Sequence, residues 1–329
     1  MKKILVYGWY HQLNIGDDLF VQSFKKLFPD YHFTFCDSIN AESLQDIDAV
    51  FFGGGSFLLE RPNITLDALE KMKDIPIFYI GMGVEAEINP VHMELIKQAR
   101  LIATRSLDQV DRLKSLNSNV MWIPDLVYCL QDDVVISNKK NRSVLVMPNI
   151  SVVPHHLDPY WRHASWMHFK SEFAQFLDLL VEEGYTLDFL SMCQGVKDND
   201  DWASGELISH MSHRDNYSNT GRYVGIEGIT YLISQYSLVI TQRFHGIILA
   251  EMTKTPYMAI YHHDKLKYTY PCNGAFVSYY NCSKQIFGDT FNRTIKMNFP
   301  QSLPIESNLF ETLSSKVMGL VENGSICRS

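Results

Sequence analysis

Apolar positions along the 329-residue chain follow two alternating rhythms. Short runs rich in β-branched and aromatic residues are separated by longer stretches in which apolar residues recur every three or four positions. The runs Ile4–Tyr7, Phe33–Cys36, Asp48–Phe52 and those beginning at Ile77, Leu101 and Val120 read as strands in the first half. Those beginning at Ser143, Thr186, Ser237 and Tyr257 do so in the second. Between them, Leu19, Phe20, Phe24, Leu27 and Phe28 fall on one helical face. Further helices are expected around His92–Ala99, over Phe169–Glu183, Gly228–Tyr236 and Ile247–Met252, and at Phe310–Val321. Strand and helix alternate in both halves, which predicts an α/β fold of two doubly wound, Rossmann-like domains. The polar stretch Gln131–Arg142 reads as the linker, so the domains are expected at 1–136 and 143–329. The last helix is a candidate to cross back to the first domain. No internal repeat or low-complexity segment interrupts the pattern.

The stretch Ser237–Lys265 organises the second half. A strand over Ser237–Thr241 runs into Gln242-Arg243-Phe244-His245-Gly246, a helix follows, Thr255-Pro256 ends it, and Tyr257–Tyr261 is the next strand. Ligands of parallel sheets bind beyond the carboxyl ends of the strands, where a helix N-terminus offers backbone N–H groups to an anion. A guanidinium fork there suits a carboxylate or phosphate, and an imidazole can move a proton near neutral pH. The same residues also admit a plain reading: an arginine buried against a carboxylate and a histidine that caps a turn.

Composition narrows the choices. The net charge is −8, which argues against a nucleic-acid partner and leaves any anionic ligand to local cations and helix ends. The six cysteines are scattered with no C-x-x-C pair, as expected of reduced structural thiols in a cytoplasmic protein, and no zinc is expected. No apolar run reaches the roughly 18 residues of a membrane span, and the apolar part of the N-terminal stretch is too short for a signal peptide. Tripeptides such as Asn63-Ile-Thr65 and Asn292-Arg-Thr294 are therefore chance matches to a glycosylation acceptor.

Several turns carry further candidates. Asp17, after Asn14-Ile-Gly16, is expected to cap the first helix; it or Asp18 could alternatively serve as a base. Gly53-Gly54-Gly55 lets the backbone approach a ligand or a neighbouring loop. Residues Asn149–His168 read as a long loop rich in aromatic and histidine side chains, in which aromatic rings suit sugar faces and Arg162 suits a carboxylate or phosphate. The histidines lack the acidic pattern and helical spacing of a metal site, and the bland reading is a surface lid. Asp125, in a proline turn, is expected to accept backbone N–H groups.

Arg243-Phe-His245-Gly-Ile-Ile-Leu-Ala250, with Thr255-Pro256 and Asp264-Lys265, resembles the R-x-H-x-x-x-x-A signature of the polysaccharide pyruvyl transferase family. Asn14-Ile-Gly16-Asp17-Asp18 resembles the family's N-x-G-D-E turn, with Asp18 in place of Glu. Gly53–Gly55 matches its G-G-G element and Gly81-Met-Gly83 its G-x-G. Arg105 matches the arginine of its Arg-Asp strand end, although Ser106 replaces the aspartate and Gln109 the later serine. The resemblance implies a glycosyltransferase-B-like arrangement of two domains facing a cleft. It implies transfer of the enolpyruvyl part of phosphoenolpyruvate to a sugar, forming a pyruvate ketal without a cofactor. The resemblance implies that Arg243, Phe244, Gly246 and Lys265 bind the donor and that His245 with Asp17 or Asp18 carries the chemistry; Arg162 is added to the donor-binding candidates from the chemistry of its own loop. Asn14, Gly16, Gly53, Gly54, Gly55 and Arg105 line the loops. The resemblance further implies an acceptor that is a sugar of a surface polysaccharide or its lipid-linked precursor, and a cytoplasmic enzyme expected at the inner face of the membrane. A glycosyltransferase using a nucleotide sugar and a non-catalytic carbohydrate-binding protein are the competing readings.

Overall fold

The computed structural model describes the chain except residues 57, 59, 85–86, 150–157, 197–198, 215–216, 222–224, 262–272, 298–304, 307 and 325–329. The chain forms two compact units. The first comprises Met1–His11, Gly16–Asp132 and Ile305–Ser329. The second comprises Gln12–Ile15 and Asp133–Pro304.

In the first unit, strands β1 (Lys2–Tyr7), β2 (Tyr31–Cys36), β3 (Ala49–Gly53), β4 (Ile77–Met82), β5 (Leu101–Thr104) and β6 (Val120–Trp122) form a parallel sheet in the order β2-β1-β3-β4-β5-β6. Every residue of β3, β4 and β5 is buried, as a sheet covered on both faces requires. Helix α1 (Ile15–Leu27) lays Leu19, Phe20 and Phe24 into the core, and α2 (Leu66–Met72), α3 (Pro90–Gln98) and α4 (Val110–Leu116) are the later crossovers. The C-terminal helix α10 (Asn308–Gly324) belongs to this unit.

In the second unit, β7 (Ser143–Met147), β8 (Thr186–Phe189), β9 (Tyr217–Asn219), β10 (Leu238–Thr241), β11 (Tyr257–Tyr261) and β12 (Ala275–Ser278) form a parallel sheet in the order β12-β11-β10-β7-β8-β9. Its helices are α5 (Pro159–Glu182), α6 (Asp200–His210), α7 (Ile226–Ser234), α8 (Phe244–Met252) and α9 (Lys284–Thr294). The strand order reverses between β7 and β10, so the topological switch point lies at their carboxyl ends.

Two local expectations change. Residues 159–168 are not loop but the opening turns of α5, with Asp158 as N-cap accepting from Tyr160 N and Pro159 at the first helical position. Asp17 does not cap α1, which begins two residues earlier at Ile15 and carries Asp17 and Asp18 in its first turn. The division between the two units, at Asp132 and Asp133, lies within the polar stretch 131–142, which is hydrogen-bonded to its surroundings. The stretch starts in a 3-10 helix, Leu126–Asp133, and Val135 N and Ser137 N donate to Thr230 and Ser234 of α7. Among the described residues no helix is long and apolar enough to cross a membrane.

Candidate functional site

At the carboxyl end of β10 the chain must turn into α8 within two residues. Thr241 Oγ1 accepts from Arg243 N (3.0 Å) and donates to Arg243 O (3.1 Å), which closes the turn. Gly246 is required by close approach: a Cβ there would lie 2.2 Å from Thr241 Oγ1 and 2.9 Å from Met147 Sδ. Arg243 occupies the N-cap position of α8 with extended backbone, and Phe244 and His245 form its first turn. Phe244 and His245 meet edge to face, ring centroids 5.5 Å apart, and His245 Nε2 is buried.

Arg243 does not present an open fork. Its Nε donates to Asp200 Oδ2 at 3.0 Å and its Nη2 donates to Oδ1. Asp200 is fully buried at the start of α6, and its Oδ2 also accepts from Met192 N and Cys193 N, each at 3.0 Å. The carboxylate therefore has charge-assisted partners on three sides, the arrangement that makes a buried ion pair tolerable. The residues alone left this pairing open; the structure establishes the arginine–carboxylate bond and identifies the carboxylate. Nothing in the pattern singled out Asp200, although Asn199-Asp200-Asp201 is a recognisable helix start, with Asn199 Oδ1 accepting from Asp201 N.

The turn that carries these donors also holds the Asn14 loop. Ile15 N donates to Met192 O (2.8 Å), Gln194 N donates to Leu13 O (3.0 Å), and Asn14 forms an antiparallel bridge with Cys193. Leu13 sits at φ 55°, left-handed backbone that is costly for a branched side chain. Asn14 and Arg243, 229 positions apart by numbering (243 minus 14), are thus joined through Met192–Cys193 and Asp200. Gly16 and Asp17 follow buried, and Asp18 half-buried, in the first turn of α1. The carboxylate of Asp17 is among the causes that push the Tyr10 hydroxyl well above its ordinary range, after burial.

In the first unit the glycine turn has a packing reason. Cβ atoms at Gly53 and Gly54 would lie 2.4 Å from Phe24 and 2.3 Å from Phe20, and Gly54 and Gly55 adopt φ of 75° and 72°. Arg105 Nη1 donates to Asp125 Oδ2 and Nη2 to Ser56 Oγ (3.1 Å), beneath Gly83. Asp125 Oδ1 accepts from Val127 N at 3.0 Å. Ser106, in the family's aspartate position, accepts from Val84 N at 2.9 Å.

Arg162 lies in the first turns of α5, half-buried, with its Nε buried. Lys265, Asp264, His155 and His156 lie outside the described residues. No group of three or more His, Cys, Asp or Glu is placed to hold a metal among the described residues.

The family model described as polysaccharide pyruvyl transferase matches residues 14–264, most of the chain, including both the Asn14 and the Arg243 turns. A search among curated proteins finds no match. Among solved structures, the Neisseria meningitidis UDP-GlcNAc 2-epimerase bound to UDP-GlcNAc aligns at a TM-score of 0.63 and 10% identity, covering 97% of this chain and 100% of that one. The Methanocaldococcus jannaschii UDP-GlcNAc 2-epimerase aligns at 0.61 and 10%, covering 97% and 99%. At this identity they establish the fold, two parallel α/β units of the glycosyltransferase-B-like class.

Proposed function

The chain belongs to the polysaccharide pyruvyl transferase family, and from that membership we propose that it transfers pyruvate from phosphoenolpyruvate to a sugar hydroxyl pair as a ketal. The observation that carries the reading is the joining of the Asn14 turn to the Arg243 turn through Asp200 and Met192–Cys193. The two stretches that bear the family signature are thereby held together by hydrogen bonds.

The reaction needs a proton on the methylene carbon of phosphoenolpyruvate, which makes C2 oxocarbenium-like. A sugar hydroxyl attacks C2, a second hydroxyl displaces phosphate and closes the ring, and the protons of the two hydroxyls leave on the base and the phosphate. His245, at the start of α8, is the proposed proton-transfer group. Asp17 or Asp18, in the first turn of α1, is the proposed base for the acceptor. Arg243, with Phe244 and Gly246, shapes the donor turn, and Lys265 adds charge to it. The acceptor is a polysaccharide sugar or its lipid-linked precursor, which would bring the protein to a membrane surface.

The test is phosphate release from phosphoenolpyruvate with a panel of free and lipid-linked sugars. His245→Gln is expected to bind the donor within a few-fold and to lose about 10²–10⁴ in turnover. Turnover near wild type from pH 6 to 8 would reduce His245 to a structural residue. Consumption of a nucleotide sugar with no use of phosphoenolpyruvate would make the protein a glycosyltransferase instead.

A further inference from the structure

The first sheet has a switch point of its own. Its strand order reverses between β1 and β3, so a ligand crevice is expected at the carboxyl ends of those two strands. Residues 8–11 follow β1 directly and lie there, and the chemistry proposed above uses none of them. The loop is pinned at several points. Gly8 N donates to Cys36 O at the end of β2 (3.0 Å), and a Cβ at Gly8 would lie 2.7 Å from both Gly53 O and the Tyr10 ring. Tyr10 is buried; its Oη donates to Gly53 O at the end of β3 (2.7 Å), and its ring meets Phe35 edge to face, centroids 4.9 Å apart. His11 sits at φ 63°, left-handed backbone that is sparse outside glycine and persists where the surroundings over-determine it, often at ligand sites.

Between these anchors Trp9 is 39% exposed while Gly8 and Tyr10 on either side of it are buried. Its backbone is thus fixed before any ligand arrives, which lowers the cost of binding. His11, two residues on, is also exposed. Its Nε2 donates to Phe35 O at 3.1 Å, since a carbonyl only accepts, so the neutral ring keeps Nδ1 as an acceptor. The charges at this edge select the ligand. Burial is the chief cause that raises the Tyr7 hydroxyl, and Asp37 and Glu60 add to it; Asp17 adds to the effect of burial on Tyr10 in the same way. Carboxylates therefore shape the local field, and they repel a phosphate or carboxylate ligand. A neutral ring with one face of C–H groups and a rim of hydroxyls meets no such repulsion. Its apolar face suits an indole, and its hydroxyls suit an imidazole acceptor.

We propose that Trp9 and His11 form a sugar subsite of the first unit, the indole stacking on the apolar face of a neutral pyranose and His11 Nδ1 accepting from one of its hydroxyls. That this sugar is the acceptor of pyruvyl transfer rests on the function proposed above; the subsite itself does not.

Ligand-observed NMR titrations of the full chain test this with the methyl glycosides of glucose, galactose and mannose. Trp9→Ala is expected to bind the best of them about 2- to 10-fold more weakly, the loss expected for one aromatic contact. His11→Asn, which tolerates the left-handed backbone without the ring, is expected to lose a similar factor, about that of one hydrogen bond. Trp9→Leu keeps apolar bulk and removes the ring, and it serves should Trp9→Ala fail to fold. In the phosphate-release assay Trp9→Ala should raise KM for the sugar with little change in kcat, the split of a group that binds rather than reacts. Wild-type sugar affinity in the variants of either residue overturns the proposal, as does the absence of binding by every glycoside to the wild type. Glycoside binding that both variants weaken, in a protein that releases no phosphate from phosphoenolpyruvate, leaves the subsite standing and removes the pyruvyl-transfer reading. Phosphate release with an unchanged KM for the sugar in Trp9→Ala does the reverse.

Discussion

Asp200→Asn tests the bond network on which the candidate site is built. The substitution keeps the side chain's size and one oxygen, but it removes the charge opposite Arg243, whose side chain is only 13% exposed. Removing one partner of a buried ion pair costs about 3–5 kcal/mol, because the other charge is left uncompensated. The backbone donors Met192 N and Cys193 N share the oxygen that Arg243 Nε uses, so rotation of the amide cannot satisfy all three. For a unit of this size each kcal/mol lowers the melting temperature by about 2–4 °C, so the transition of the second unit should fall by roughly 6–20 °C. Calorimetry or intrinsic fluorescence will read this in the absence of any ligand. A second arm distinguishes a charge effect from simple mispacking. Asp200→Leu combined with Arg243→Met removes both charges and should lose less stability than the sum of the two single changes. A melting point for Asp200→Asn within ~1 °C of wild type would mean the pair contributes almost nothing, and the reasoning would fail. Strict additivity in the double variant would refute the coupling between the two residues.

Other outcomes follow from the same coordinates. Gly246→Ala should destabilise the protein by about 1–3 kcal/mol, since its methyl would meet Thr241 and Met147, and a chemical-denaturation midpoint equal to wild type would contradict that contact. Burial lowers the pKa of His92 from 6.5 to about 4, so the unfolded chain binds the extra proton first. Stability from this group is full above about pH 6.5 and falls by about 3 kcal/mol as pH drops toward 4; His92→Gln should flatten that slope in urea midpoints measured across the window. Glu251 behaves in the opposite sense. Burial raises its carboxyl although Tyr257 Oη, Asn273 N and Asn273 Nδ2 donate to it, so its contribution declines as pH rises from about 4.5. Glu251→Gln should remove that decline at a cost below about 1.5 kcal/mol, and a midpoint that still falls with pH would assign it to another group.

Much of the architecture was legible in the residues because parallel sheets covered on both faces are written as continuous apolar runs. The strands from Ile4 to Tyr261 other than β9, and most of the alternation of strand and helix, need only local periodicity; β9 and α6 were not read. The Arg243 turn was legible for a related reason. A short, unusual arrangement between two such runs must lie at the carboxyl end of a strand in this class of fold, and its wording also matched a family. Where reading failed, a second signal competed. The opening turns of α5 carry Tyr160, Trp161, His163 and Trp166, which obscured an Asp158-Pro159 helix start that capping chemistry announces. The identity of Asp200 as the carboxylate that meets Arg243, the bridge of Asn14 to Cys193, and the burial of Gln242 against Asn149 were not legible. Each joins residues from different strand ends, and no periodicity along the chain encodes which carboxylate folds against which guanidinium. That choice belongs to the strand order, which brings the ends of β7, β8 and β10 to one edge.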